Sequence, residues 1–458
     1  MNNFTLCKIN YIILSDVKKN AILGDFMKFK DVEYSRFRYT VAIILGLNVI
    51  NISRTIHAAT ISPSLQKTAR EVANSSQGFA SGTSGGTKAD NTHIYTVSNR
   101  ADLMNALGDQ NNQTAKIIYI SGTIDMNIGI NGKTLTATDY ANGTGYNFTT
   151  YLNTYNPAKY GKKIPAGTQE IARDKAQKNQ AKQIQYKVPS NTTIIGTNNA
   201  KITGGNMIIN GSNVIVRNIN FENAYDYFPQ WDPTDGNSGN WNSQYDNLTV
   251  TGGSNVWLDH NQFSDGSQTD NKNGSYYGRE YQHHDGLVDI VNGANNVTLS
   301  YNQLQNHDKS MNIGNSDSKT SDLGKLQVTM HHNRFDNLIQ RQPRVRFGKV
   351  HIYNNYYSSS NSSIYKFMYA FGIGKQSQIY AQNNTFDVRT ASINDIAKVF
   401  GGTNFTDNGN LLNGKQVEGI SKLNKLNPVT FSPNYKASLQ DLATSKNDVN
   451  NNAGPILK

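Results

Sequence analysis

The chain has 458 residues, 38 of them glycine, and only 17% are charged. This composition excludes a coiled coil and charged disorder, and few Leu/Ala/Glu/Lys runs argue against a helical protein. The formal charge is +11; residues 1–59 hold eight Lys/Arg and four Asp/Glu, so the remainder keeps +7, which suits a polyanionic partner.

The N-terminus reads as an export signal over residues 1–59. Lys28, Lys30, Arg36 and Arg38 precede the apolar run TVAIILGLNVINI, and Ile56-His57-Ala58-Ala59 offers small residues for cleavage. The run is short for a spanning helix, which needs roughly 20 residues, so a membrane anchor is the weaker reading. Met27 is a candidate start. Cys7, the single cysteine, precedes the cleavage region, so the exported product would have no disulfide and would rely on a large core.

Residues 60–94 contain NSSQGFASGTSGGTKADN, which predicts a flexible entry segment. SNRADLMNALGD predicts a short helix capped by Ser98, and KIIYISGTI a strand. The one long helical pattern runs from Thr168 to Gln183. Its apolar face is thin, so it is expected to lie on the surface as part of an insertion over 139–185. The domain that follows is placed at 95–440, with a tail at 441–458.

From Val188 onward a repeat emerges. VWLDHNQF, VTLSYNQL, VTMHHNRF, VHIYNNYY and IYAQNNTF share one template, and VIVRNINF is a looser copy with its Asn one place early. The six starts are 42, 41, 31, 22 and 29 residues apart, so loops of unequal length interrupt a repeat of roughly twenty residues. Strand-period alternation with one fixed Asn predicts a coil stacked on itself, in which Asn261, Asn302, Asn333, Asn355 and Asn384 form a ladder. An antiparallel sandwich has no reason to keep one Asn in register. The predicted fold is therefore all-β, a parallel β-helix with short helices and long surface loops.

Stacked coils lie about 4.8 Å apart, so residues twenty to forty apart can meet on one face. Candidates are Asp259, Asp285 and Asp289 as acids, with Lys309, Arg341 and Arg346 as bases. Asp285 and Asp289 would be about 13 Å apart on a straight strand; Gly286 is expected to bend the chain between them. Three carboxylates without cysteine suit Ca²⁺, though the same acids could simply pair with the nearby bases. His283, His284, His331 and His332 alternate faces, which argues against a metal shared among them. The basic residues are dispersed, without a basic helix, which argues against nucleic acid.

WLDHNQF, HHDGLVDI, NHDKSMNIG and QRQPRVRFG resemble the signature blocks of the pectate lyases of polysaccharide lyase family 1, in the family's order, from about Tyr95 to NPVTFSP. The resemblance implies a right-handed parallel β-helix and a secreted, Ca²⁺-dependent enzyme that cleaves polygalacturonate by β-elimination. It implies Asp259, Asp285 and Asp289 as Ca²⁺ ligands, Arg341 as the base, and Lys309 and Arg346 as binders of the substrate carboxylate. Arginine holds its proton firmly, so an alkaline optimum is expected. A monomer with no membrane attachment after signal removal is expected. The rivals are a pectin lyase, which has no use for acidic ligands, a polygalacturonase, whose paired-aspartate motif is missing, and a non-catalytic carbohydrate-binding β-helix.

Overall fold

The computed structural model describes residues 61–458 apart from 198, 361–363 and 418. The export signal, Cys7 and Met27 lie outside the described residues. Each coil visits three long sheets in turn. The first sheet has ten strands, including Val214–Arg217, Ser254–Asp259, Asn295–Ser300 and Gln327–His331. The second also has ten, including Gln262–Ser264, Gln303–Lys309 and Arg334–Gln340. The third has eight, including Leu248–Thr251, Val288–Val291, Asn312–Ile313 and Arg344–Val345. Neighbouring coils pair in parallel within all three sheets, giving a right-handed parallel β-helix. Parallel pairing excludes the sandwich.

The repeat template explains the corner between the first two sheets. The residue before each aligned Asn has a left-handed backbone: φ is 53° at His260, 50° at Tyr301, 54° at His332, 52° at Asn354 and 50° at Asn383. The chain turns there, and the next residue points its amide along the helix axis. Asn261 Nδ2 donates to Asn302 Oδ1 at 3.1 Å, Asn302 to Asn333 at 3.0 Å, Asn333 to Asn355 at 2.9 Å, and Asn355 to Asn384 at 3.0 Å. Asn410 extends the ladder by one more rung. Every member is buried, and each also donates to a main-chain carbonyl, as Asn302 does to Leu258. Full satisfaction makes these amides stabilising; an orphaned rung would cost about 1–3 kcal/mol. In the looser copy Asn218 occupies the turn itself (φ 61°), and Ile219 takes the ladder position.

Apolar residues of the template stack inward. Phe221 lies on Phe263, and Phe335, Tyr357 and Phe386 form a second ring stack. Each such fully buried side chain contributes about 1.5–3 kcal/mol. The short helix Arg100–Leu107 closes one end with Leu103 and Leu107. Its cap is Asn99, one residue later than Ser98, because the Asn99 side chain reaches the amide of Asp102.

One expectation needs correction. Residues 61–94 are not a free entry segment, since they lie along the first sheet. Ala80 N donates to Thr298 Oγ1, Gly86 N to Thr193 Oγ1, and Ser84 N to Asn213 Oδ1. The small residues allow close approach: a Cβ on Gly86 would sit 2.0 Å from the Lys116 carbonyl oxygen. The 441–458 segment is likewise docked through the helix Leu442–Asn452, whose Asp448 accepts from Tyr301 Oη, and through Leu457, which hydrogen-bonds with Asn218.

The helix Thr168–Ile184 does lie against the coils, through an unusually polar buried face: Arg173 pairs with Glu170, and Gln177 donates to buried Asp226. Tyr151 and Tyr155 of the insertion are buried with Trp231, Trp241 and Tyr281. These tyrosines therefore hold the insertion down. Among the described residues no helix is long and apolar enough to cross a membrane.

Candidate active site

The third sheet gathers the acids. Leu248 pairs with Val288 and Thr249 with Asp289, which brings Asp246, just before its strand, beside Gly286. The Gly286 amide donates to Asp246 Oδ1 at 2.9 Å. A Cβ on Gly286 would lie 2.7 Å from Asp246 Oδ1 and 2.8 Å from Asp289 Oδ1. The glycine was expected as a bend; its role is room, because two carboxylates crowd the space where a side chain would stand. Asp246 Oδ2 accepts from Thr249. Asp289 accepts from the amide and side chain of Asn312 at 2.8 and 3.1 Å.

These acids repel one another. Burial, and then the charges of Asp289 and Asp285, push the Asp246 carboxyl well above the usual range. Asp289 rises to about 6 through burial and the charge of Asp285. Burial would raise Asp285 also, but Lys309, whose Nζ is 2.9 Å from its Oδ1, holds it below the ordinary value. With Asp285 drawn to Lys309, the three carboxylates do not all close to within 4.8 Å of one another.

The bases follow on later coils. Arg341 sits between the strands Arg334–Gln340 and Arg344–Val345 with φ 59°, turning the chain from the second sheet to the third. Its Nη1 lies 3.5 Å from Asn312 Oδ1, the same Asn that holds Asp289, and its buried Nε has no partner. Arg346 donates to Asp317 at 2.8 Å and to the Gly314 carbonyl at 3.3 Å. Arg344 stacks on Phe400 at 4.1 Å.

Asp259 does not join them. It ends a first-sheet strand in register with Arg217 and Ser300, on a different face of the coil from the third sheet. Arg217 Nη2 is 2.7 Å away, His260 Nδ1 2.7 Å, and Ser300 Oγ 2.5 Å. Burial alone would raise its carboxyl, but His260 and Arg217 hold it well below the usual range. Its charge is fully used within the fold. Asp246 takes the third place among the acids, and sequence reading missed it. The available signal was NLTVT, a copy of the third-sheet strand LVDIV one coil earlier with an aspartate in front; the more conspicuous WLDH block drew attention away.

A further group was missed. His307 spans 2.8 Å to Asp265 Oδ2 and 2.8 Å to the Asp285 carbonyl. Burial opposes its charge, but Asp265 raises it to about 9. The imidazolium thus braces the turn that carries Asp285.

A family model described as pectate lyase matches residues 160–456. The chain is 54% identical over 379 residues to a pectate lyase of Bacillus subtilis, covering 82% of this chain and 90% of that one. The chain belongs to the pectate lyases. Pectate lyase D of Dickeya chrysanthemi is 34% identical over 434 residues, 91% of this chain and 97% of its own. Among solved structures, a mutant Bacillus subtilis pectate lyase superposes with a TM-score of 0.83 at 52% identity, covering 85% of this chain and 99% of that one. A pectate lyase bound to a hexasaccharide gives 0.82 at 53% identity, with coverages of 84% and 98%. This pectate lyase is accordingly an enzyme, a polysaccharide lyase on a parallel β-helix.

Proposed function

We propose that this pectate lyase is secreted and cleaves de-esterified pectin, polygalacturonate, by Ca²⁺-dependent β-elimination with Arg341 as base. Asp246, Asp285 and Asp289 would hold the ion, and Lys309 and Arg346 the substrate carboxylate. The observation that carries this reading is the crowded acid trio beside Arg341 and Lys309, in which Asp285 is paired with Lys309 while Asp246 and Asp289 have no cationic partner among the described residues. The donor set fits the ion: three carboxylates with no nitrogen or sulfur suit a hard cation, and the mutual repulsion that raises Asp246 and Asp289 is what a divalent charge relieves. Bound Ca²⁺ would polarise the uronate carboxylate and stabilise charge developing next to it.

The remaining roles fall to the chain. An arginine can act as base only when a nitrogen gives up its proton, and among the described residues no ion pair is formed by the Arg341 guanidinium, whose Nη1 lies 3.5 Å from Asn312 Oδ1. Arg341 would take the proton from carbon 5 of the uronate. The C–H electrons form the carbon 4–carbon 5 double bond, the glycosidic bond at carbon 4 breaks, and the departing oxygen is protonated from solvent. Lys309 and Arg346 would add positive charge beside the carboxylate as the enolate-like state forms. No acid–nucleophile carboxylate pair is required, unlike hydrolysis. The net charge of +7 outside the export region favours a polyanionic chain.

The test is ultraviolet absorbance of polygalacturonate incubated with the enzyme, with Ca²⁺ and with chelator. A Ca²⁺-dependent rise from the new conjugated double bond is expected. New reducing ends without that rise would mean hydrolysis and would overturn the mechanism; activity on esterified pectin alone would replace the substrate.

A further inference from the structure

The loop between the second-sheet strand Gln262–Ser264 and the third-sheet strand Val288–Val291 holds a second polar cluster. Asp265 opens the loop, Asp270 lies five residues on, and His284 closes it. One ligand atom from each falls within 4.8 Å of the other two, and among the described residues this is the one such group of three.

His284 supplies the independent observation. Its ring is buried, and Nε2 lies 2.9 Å from Asn223 Oδ1. An amide oxygen only accepts, so Nε2 carries the hydrogen and the other nitrogen can present its lone pair. That nitrogen, Nδ1, has no hydrogen-bond partner although it is fully buried. It faces Asp265 Oδ1 at 3.7 Å, too far for a hydrogen bond. A lone pair aimed at carboxylate oxygens is repulsive unless a cation lies between them. In a tetrahedral zinc site with bonds of about 2.0 Å, ligand atoms stand about 3.3 Å apart, close to the separation observed.

We infer that Asp265, Asp270 and His284 form a binding site for a divalent transition cation of the Zn²⁺ class, separate from the acid trio. The imidazole nitrogen selects against Ca²⁺ and Mg²⁺, which take oxygen ligands. Asp265 can serve while paired with His307, since each carboxylate oxygen offers two lone pairs. Asp270 is half-buried, leaving a fourth position open to water. Such an ion ties the two ends of the 265–284 loop together immediately before Asp285. It would fix that turn without touching substrate.

The experiment titrates the mature enzyme with Zn²⁺ in the presence of excess Ca²⁺, by calorimetry and by metal analysis after desalting. Uptake is read without turnover, so the result stands apart from the proposed lyase mechanism. One Zn²⁺ per chain is expected, with affinity at least about tenfold weaker in Asp270→Asn and unchanged in Asp289→Asn. No uptake by the unmodified enzyme, or equal uptake by Asp270→Asn, overturns the site. Loss in Asp289→Asn would place the ion in the acid trio and overturn it as well. Should Asp270→Asn fail to fold, His284→Gln serves in its place and must lose the ion.

Discussion

Asp259 and Asp246 are thirteen residues apart and both buried, yet they sit in opposite electrostatic surroundings. Asp259 has Arg217, His260 and Ser300 within 2.7 Å; Asp246 has Thr249, one backbone amide and two other acids. Their arginines differ in the same way. Arg217 is spent on Asp259 and Glu71, whereas among the described residues Arg341 forms no ion pair and lies 3.5 Å from Asn312 Oδ1. A buried acid whose charge is answered by the fold is structural. One whose charge is left unanswered marks where a cation or a cationic transition-state contact is wanted.

The largest expected effect tests the two arginines. Arg341→Lys should lower kcat by about 10²–10⁴-fold, the usual worth of a positioned base, with thermal stability little changed. Arg217→Lys should lower stability and leave kcat of the folded enzyme near normal. Equal losses of kcat in both would erase the distinction between the two regions.

Next come the acids. Asp259→Asn should destabilise by about 3–5 kcal/mol in denaturant titration, because it leaves the buried Arg217 charge with Glu71, which is part exposed, as its remaining carboxylate. The Ca²⁺ concentration for half-activity should not move. If it rises tenfold, Asp259 belongs to the metal site after all.

The fold was legible because it repeats. One template with a fixed Asn dictates a stacked coil, and the ladder runs through the five residues expected of it, plus Asn410. The gathering of Asp285, Asp289, Lys309 and Arg341 on one face could be anticipated because they lie in dense polar blocks. The place of Asp246 beside them could not, because it depends on the register between LTVT and VDIV, an apolar resemblance that was less conspicuous than the WLDH block. The docking of residues 61–94 was hidden for another reason. A Gly/Ser-rich composition reads as flexible, but here small residues are what lets the backbone lie flat on a sheet.

Asp246→Asn sharpens the comparison at smaller scale. Removing one of three repelling acids should raise the Ca²⁺ requirement by about 10–100-fold, roughly 1.4–2.7 kcal/mol. It should also modestly stabilise the protein in chelator, the reverse of Asp259→Asn. Calorimetric Ca²⁺ titration and melting in chelator check the two halves separately. A destabilised metal-free Asp246→Asn would mean that its bonds to Thr249 and Gly286 outweigh the repulsion.

The smallest effect is a pH dependence of opposite sign in the two regions. Asp259 is held below its unfolded value, so its contribution is present above about pH 3.9 and is lost as pH falls. Asp289 is raised to about 6, so its contribution is complete below its unfolded value and disappears as pH rises through about 6. In chelator, denaturant titrations should therefore show about 1–2 kcal/mol of stability lost between roughly pH 4 and 6.5 on the trio's account. Saturating Ca²⁺ should abolish that loss, because the ion favours the ionised acids. Asp289→Asn should reduce it in chelator, leaving the part that belongs to buried Asp246, while Asp259→Asn should leave it intact. A loss that survives both Ca²⁺ and Asp289→Asn would belong to other buried acids, of which Asp226, raised to about 6 by burial, is the first to replace.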